Sequence, residues 1–308
     1  MREYLHLLDK GDQDLVNLLS EEFEAVGRDS RAPRAVAETW ILSFDQIQQQ
    51  TAFAGELLSL MSFFDRQAIP TEFLTYYREQ QPQGDRGEIQ LQKALGILKA
   101  FSFVTTGKDQ SLNVHRLVSW YRESGLQGRR IKHFTDQALL TVSYAYPFGE
   151  YENWVKCRRY LPHAYTVVEF EGSGSNDVKA ATASLLHNVA GFSLFQGQWD
   201  AAERLQDQAM NLLRNFLGTN HPSTLASMDN LALIYTRQGR WKDAEDLEVQ
   251  VMEISKTTLG ADHPHTLTSL ANLASTYRKQ GRWEEAETLE VQVIETFKSK
   301  LGAIIPKR

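Results

Sequence analysis

The chain has 308 residues, of which 42% are hydrophobic and 23% charged, and a formal net charge of −6. That length fits two domains or one repeat array, and no basic excess points to nucleic acid or to an anionic membrane surface. The lone cysteine, Cys157, excludes an internal disulfide. No signal-peptide pattern and no apolar run of about 18 residues is present, so a cytoplasmic location and no membrane contact are expected.

From the N-terminus, Leu15, Leu18, Leu19 and Phe23 space a short amphipathic helix, and 27–33 reads as a loop. A second helix is predicted over 34–49, with Val36, Trp40 and Phe44 on one side. A third, from Ala52 to Phe64, is apolar nearly all round and is expected to be buried. Ile69-Pro70-Thr71 opens a fourth, the polar stretch 80–87 has the composition of a disordered loop, and Leu91, Leu95 and Leu98 mark a fifth. The period then changes. Residues 102–105 and 112–114, around a Gly107-Lys-Asp turn, read as a β-hairpin, and His115 starts a helix through Trp120. Several helices followed by a hairpin describe a winged-helix-like module over 1–125. The next segment, 126–177, reads as a connecting helical hairpin with helices near 128–146 and 151–170, the second kinked at Pro162.

From 178 to 302 the chain repeats. Trp199, Trp241 and Trp283 are 42 residues apart, and the same period carries Gly197, Gly239 and Gly281, then Ala202, Ala244 and Ala286, and then Asn188, Asn230 and Asn272. Each unit reads as two helices. In the middle one Leu225, Met228, Leu231, Ala232 and Tyr235 form one apolar face, Gly239 permits the left-handed turn, and Trp241, Ala244, Leu247, Val251 and Ile254 form the second. The tryptophans are expected in the wedge between the two helices, as core. Asp262 is the expected cap of the next helix, with Pro264 in its first turn. The fold class is therefore all-α, a winged-helix-like N-terminal module followed by a helical-repeat solenoid.

The runs Asn230-Leu-Ala-Leu-Ile-Tyr-Thr-Arg-Gln-Gly-Arg-Trp241 and Asn272-Leu-Ala-Ser-Thr-Tyr-Arg-Lys-Gln-Gly-Arg-Trp283 resemble tetratricopeptide repeats of the 42-residue kinesin-light-chain type. Upstream, Thr39-Trp-Ile-Leu-Ser-Phe-Asp-Gln-Ile47, the run from Leu57 to Pro70 and Val114-His-Arg-Leu-Val118 resemble the tail of an NB-ARC nucleotide-binding module. Together they resemble fungal NLR-like (STAND) proteins. That resemblance implies a sensor or scaffold piece whose nucleotide-binding core lies upstream. It also places His115 where the family has the histidine of its Met-His-Asp motif, as a remnant that would not bind nucleotide unaided.

Chemistry is sparse. No Gly-x-x-x-x-Gly-Lys-[Ser/Thr] loop is present to wrap phosphates, and no His-Glu-x-x-His to hold a metal. His221, His263 and His265 fit repeat capping better than coordination. Cys157 has no evident base beside it, so a packed or surface thiol is the expectation. Residues 34–124 hold nine Arg/Lys against ten Asp/Glu, too few for a DNA-reading winged helix. No catalytic residue, metal or cofactor is assigned.

What remains is a surface. The face of the first helix opposite its packing stripe carries Asn230, Leu233, Thr236 and Arg237, then Asn272, Ser275, Arg278 and Lys279, and in the first copy Asn188, Gly191, Leu194 and Phe195. An amide offers donor and acceptor, so the asparagines either hold the backbone of an extended peptide or bond a neighbouring helix. Arg237, Arg278 and Lys279 favour an acidic ligand. The expected function is a non-catalytic protein or peptide interaction module. The alternatives are the regulatory half of a switch ATPase with a separately encoded core, and a kinesin-light-chain-like cargo adaptor. Leu289, Val293 and Phe297 are expected to lack cover at the end of the array, which would permit self-association.

Overall fold

The computed structural model describes residues 43–304 except 45, 81–86, 117 and 119–128. The helix expected near 15–23, most of that at 34–49, most of the polar 80–87 stretch and most of the helix from His115 fall outside the described residues. Two compact units are formed, Met1–Ala145 with Arg158–Val178, and Tyr146–Cys157 with Lys179–Arg308. These bounds differ from the expected cuts at 125 and 177. The reason is packing: the first helix of the connecting segment lies against helices of the first unit, and residues 146–157 join the repeats.

In the first unit, helix α1 (Ala52–Met61) buries almost every side chain. Its Ser59 hydroxyl satisfies itself on the Gly55 carbonyl at 2.8 Å, which lets a polar residue sit in an apolar helix. Helix α2 (Thr71–Gln80) buries Phe73, Leu74 and Tyr77, and α3 (Glu88–Ala100) buries Leu91, Ala94, Leu95 and Leu98. Strands β1 (Val104–Thr106) and β2 (Leu112–Val114) pair antiparallel, with Val104 opposite Val114. Ile69 bridges Leu112 through two backbone hydrogen bonds of 2.8 and 2.9 Å. This third edge is invisible in sequence, because a single bridged residue before a proline has no alternation to detect. Helix α4 (Arg129–Ala145) packs on α1 and α2. Helix α5 (Trp154–Val168) runs through Pro162 without a break in its assigned span. Phe73, Tyr160 and His163 form one aromatic cluster, with ring centroids 4.9 Å (Phe73–Tyr160) and 5.4 Å (Phe73–His163) apart.

The second unit is a solenoid of three helical hairpins. They are α6 (Asn176–Phe195) with α7 (Trp199–Leu217), α8 (Pro222–Gln238) with α9 (Trp241–Thr258), and α10 (Pro264–Lys279) with α11 (Trp283–Ile304). The turn glycines Gly197, Gly239 and Gly281 have φ of +75°, +78° and +80°, the left-handed region that side chains other than glycine rarely adopt. Met210, Leu225, Met228, Leu231 and Val251 form a core cluster, with Tyr235, Leu247 and Ile254 against it.

Two expectations are corrected. The helix caps are His221 and His263, whose Nδ1 atoms accept from Ser223 N (3.2 Å) and His265 N (3.1 Å); Asp262 is not the cap. Proline directly follows each histidine, so the imidazole is the side chain placed at the cap position. Nor are the tryptophans core: Trp199, Trp241 and Trp283 are 45%, 40% and 66% exposed. Each is the first residue of its helix, and a helical Cβ tilts back toward the N-terminus, out past the turn. The wedge is filled instead by Ala202, Ala244 and Ala286, all essentially fully buried.

Candidate functional site

Helices α6, α8 and α10 each present the expected asparagine at the same register, but the three differ in their partners. Asn188 donates its Nδ2 hydrogen to the carbonyl of Tyr146 at 3.1 Å. Asn272 hydrogen-bonds Asp229 of α8. Asn230 is half-buried and, among the described residues, makes no side-chain hydrogen bond.

The Asn188 contact is with an extended stretch of the chain. Residues 146–150 are not helical and lie over positions 187, 188, 191, 192 and 195 of α6. A Cβ on Gly191 would fall 2.7 Å from the Phe148 ring, and a Cβ on Gly149 would fall 2.4 Å from the Phe192 backbone. Glycine at both places allows the close approach. The Phe148 ring stacks on His187 at 5.3 Å and meets the edge of Phe195 at 6.3 Å. Trp154 Nε1 and Asn153 Nδ2 hold the stretch from its other side, donating to the Gly149 and Phe148 carbonyls at 3.0 and 3.1 Å. The groove face of the first repeat is thus covered by the chain's own backbone.

On α8 and α10 the same face is open. Leu233 is exposed, and Arg237 and Lys279 are exposed with no ion pair among the described residues. Thr236 is turned inward, its hydroxyl donating to the Ala232 carbonyl at 3.1 Å. Arg278 Nη1 lies 3.4 Å from Glu290 of α11. Leu233, Arg237 and Lys279 are exposed and Asn230 and Asn272 half-buried, while Thr236 and Arg278 have internal partners. His115 lies apart from this set in the first unit. Its imidazole is exposed and its amide donates to the Phe103 carbonyl at 2.9 Å. Partial desolvation, and then the Arg66 charge, hold its pKa below the ordinary value.

The repeat junctions carry polar contacts that the sequence reading missed. Glu203 accepts from Gln238 and Arg240 at 2.7 and 2.8 Å, and Glu245 from Gln280 and Arg282, both at 2.9 Å. Deeper in, His187 Nδ1 lies 3.0 Å from Gln206 Oε1, and Gln206 donates to Ser227 Oγ at 2.7 Å. One repeat later those three positions hold Asp229, Glu248 and Ser269. The clasp residues recur at 42 residues, so their signal was present. Their pairing was not, because the clasp partners stand 35 and 37 positions apart. Among the described residues no group of three or more His, Cys, Asp or Glu is placed to hold a metal ion, and no helix is long and apolar enough to cross a membrane.

Residues 181–257 and 249–299 match the tetratricopeptide repeat family. A nucleotide-binding leucine-rich repeat (NLR)-like protein of Hyaloscypha variabilis is 37% identical over 220 residues, 71% of this chain and 21% of that protein. The chain thus spans about a fifth of the length of that relative. Among solved structures, a protein described as a Podosopora anserina kinesin light chain with nearly identical TPR-like repeats is similar at 20% identity, with a TM-score of 0.44 over 75% of this chain and 95% of that one. BtubC (BKLC) from P. vanneervenii is similar at 11% identity, with a TM-score of 0.46 over 88% and 93%.

Proposed function

We propose that this chain, whose residues 181–257 and 249–299 match the tetratricopeptide repeat family and which is similar to a fungal NLR-like protein, is a non-catalytic interaction module holding an extended, acidic peptide segment against α8 and α10. One observation carries the reading: Asn188 already grips an extended backbone, that of Tyr146, at the register where Asn230 is unengaged. An amide that donates to a main-chain carbonyl recognises extended chain whatever its side chains. Arg237 and Lys279 add two uncommitted cations beside it, which selects carboxylates. The likeness to a nucleotide-binding NLR-like protein favours a place for this module within a nucleotide-binding assembly, with the nucleotide chemistry supplied elsewhere, and we read its location as cytoplasmic.

The test is selection from a displayed library of random dodecapeptides, followed by fluorescence polarisation with the purified full chain. Acidic sequences should be enriched. Arg237→Glu with Lys279→Glu should weaken them by about 1–3 kcal/mol, the worth of hydrogen bonds to charged groups, and Asn230→Ala by about 1 kcal/mol. Asn188→Ala should leave affinity unchanged. Enrichment without acidic residues, or affinities indifferent to Asn230 and Arg237, would refute the groove.

A further inference from the structure

The tryptophans that open the second helices leave indole surface in water. Trp199 and Trp241 are 45% and 40% exposed, at one register of successive hairpins. Neither indole N–H has a hydrogen-bond acceptor among the described residues. A cleft of ≈ 620 Å³ lies beside Trp241, between the α8–α9 turn, with Arg240 and Lys242, and the α10–α11 turn, with Gln280 and Arg282. Gln280 closes one end, its Nε2 donating to the Trp241 carbonyl at 3.2 Å. Gly239 leaves the floor open: a Cβ built there would meet nothing within 4 Å.

The charges around this cleft are already paired. Arg240 lies 2.8 Å from Glu203 and 2.7 Å from Asp243. Arg282 lies 2.9 Å from Glu245 and 2.5 Å from Glu285. Lys242 lies 3.5 Å from Glu245 and 3.0 Å from Asp246. The guanidinium faces are taken as well, since Arg240 stacks 4.3 Å from the Tyr235 ring centroid and Arg282 3.9 Å from that of Tyr277. A charged ligand of either sign would have to break these pairs to gain its own. What stays unmatched is apolar indole area and one N–H donor on each tryptophan.

We propose that the turn edge at Trp199 and Trp241 is a docking surface for a proline-rich, polyproline-II segment of a partner protein, with proline rings against the indoles and main-chain carbonyls accepting from the indole N–H groups. Complementarity selects this occupant. An indole N–H only donates. A proline has no amide N–H, so a run of prolines offers carbonyl acceptors alone and brings no donor to a cleft whose carboxylates are engaged. Its rings are uncharged and apolar, as the unmatched surface is. The segment is also stiff before it binds, so a small footprint on two aromatic rings suffices to hold it. This inference stands independently of the groove on α8 and α10.

The test titrates the full chain with fluorescein-labelled decaproline and reads polarisation together with the indole N–H signals in proton–nitrogen correlation spectra. Decaproline should bind and shift the signals of Trp199 and Trp241, assigned from Trp199→Phe and Trp241→Phe. Trp241→Ala should weaken binding by about tenfold or more, as for a tryptophan anchor. Trp241→Phe keeps a ring and loses the donor, and should weaken it by about two- to tenfold. Affinity should be the same in about 50 and about 500 mM sodium chloride, because no unpaired charge takes part. Absence of binding at about 1 mM decaproline, the weak end of specific recognition, would overturn the proposal. So would indole shifts confined to other tryptophans, or full affinity in Trp241→Ala. A steep fall with salt would mark a charged ligand instead, and binding of cellohexaose at the same indoles without decaproline would make the edge a carbohydrate platform; either result also overturns it.

Discussion

His265 Nε2 stands 3.5 Å from Asp229 Oδ2 across the α8–α10 junction, and burial opposes the charge on both. Desolvation pushes the Asp229 carboxyl up to about 7, against which hydrogen bonds from Ser269 and Asn272 pull it down. Glu248, one helix away, is likewise pushed up to about 7 by desolvation, eased by Thr276 and reinforced by Asp229 and Glu245. His265, which also meets Ser255, is held down by burial and then by His263. Asp229 Oδ1 and Glu248 Oε2 are buried without a hydrogen-bond partner among the described residues. The preceding junction places His187 and Gln206 at the same two positions, and there the amide is fully engaged.

A pH dependence follows from this difference. The folded junction retains protons that unfolded carboxyls release between about pH 4 and 7, so its stability falls as pH rises through that window. Below about pH 6.5 the depressed His265 works the other way. Urea unfolding should show the repeats more stable at pH 6 than at pH 8. Glu248→Gln should flatten that slope and raise stability at pH 8 by about 1 kcal/mol, since it removes a buried charge and copies Gln206. An unchanged slope would mean that both carboxylates reach water.

Gly149→Ala should destabilise the repeat unit by about 1–3 kcal/mol, the usual cost of overpacking. The added methyl would meet the Phe192 backbone, which cannot swing aside as a side chain could. Asn188→Ala should cost about 1 kcal/mol through the lost Tyr146 contact. Denaturant midpoints of the two variants provide the comparison.

Tryptophan and alanine at the turn should reverse the ranking that their sizes imply. Trp241→Ala should cost less than about 1 kcal/mol, whereas Ala244→Leu, at a fully buried site, should cost about 1–3 kcal/mol. Acrylamide should quench Trp199, Trp241 and Trp283 readily in the native state. Emission shielded from quencher at these three would contradict the exposed placement.

Cys157 should be inert in the native chain. Its thiol is fully buried, directed toward the Pro147 carbonyl at 3.6 Å, and desolvation pushes its pKa up. A thiol-specific reagent at pH 8 should react slowly with native protein and stoichiometrically in denaturant. Fast labelling of the native chain would show that residues 146–157 open readily.

Much of the architecture was legible because it is periodic and local. The 42-residue spacing determined the repeats, and the left-handed glycines determined the turns. The hairpin over 102–114 and the buried α1 were equally plain, since each is a short-range pattern. The groove face was legible as a face, because residues seven apart on a helix share a side. Which partner each of its residues finds was not. Asn188, Asn230 and Asn272 are one letter in one register, yet the first holds Tyr146, the third meets Asp229 and the second makes no side-chain hydrogen bond among the described residues. Trp241 and Ala244 share one turn of helix, and only stacking decided that the larger went outside. Sequence period determines which side of a helix a residue occupies. Hydrogen bonding, desolvation and burial depend on what packing brings against that side, and those groups come from helices whose distance along the chain carries no local signal.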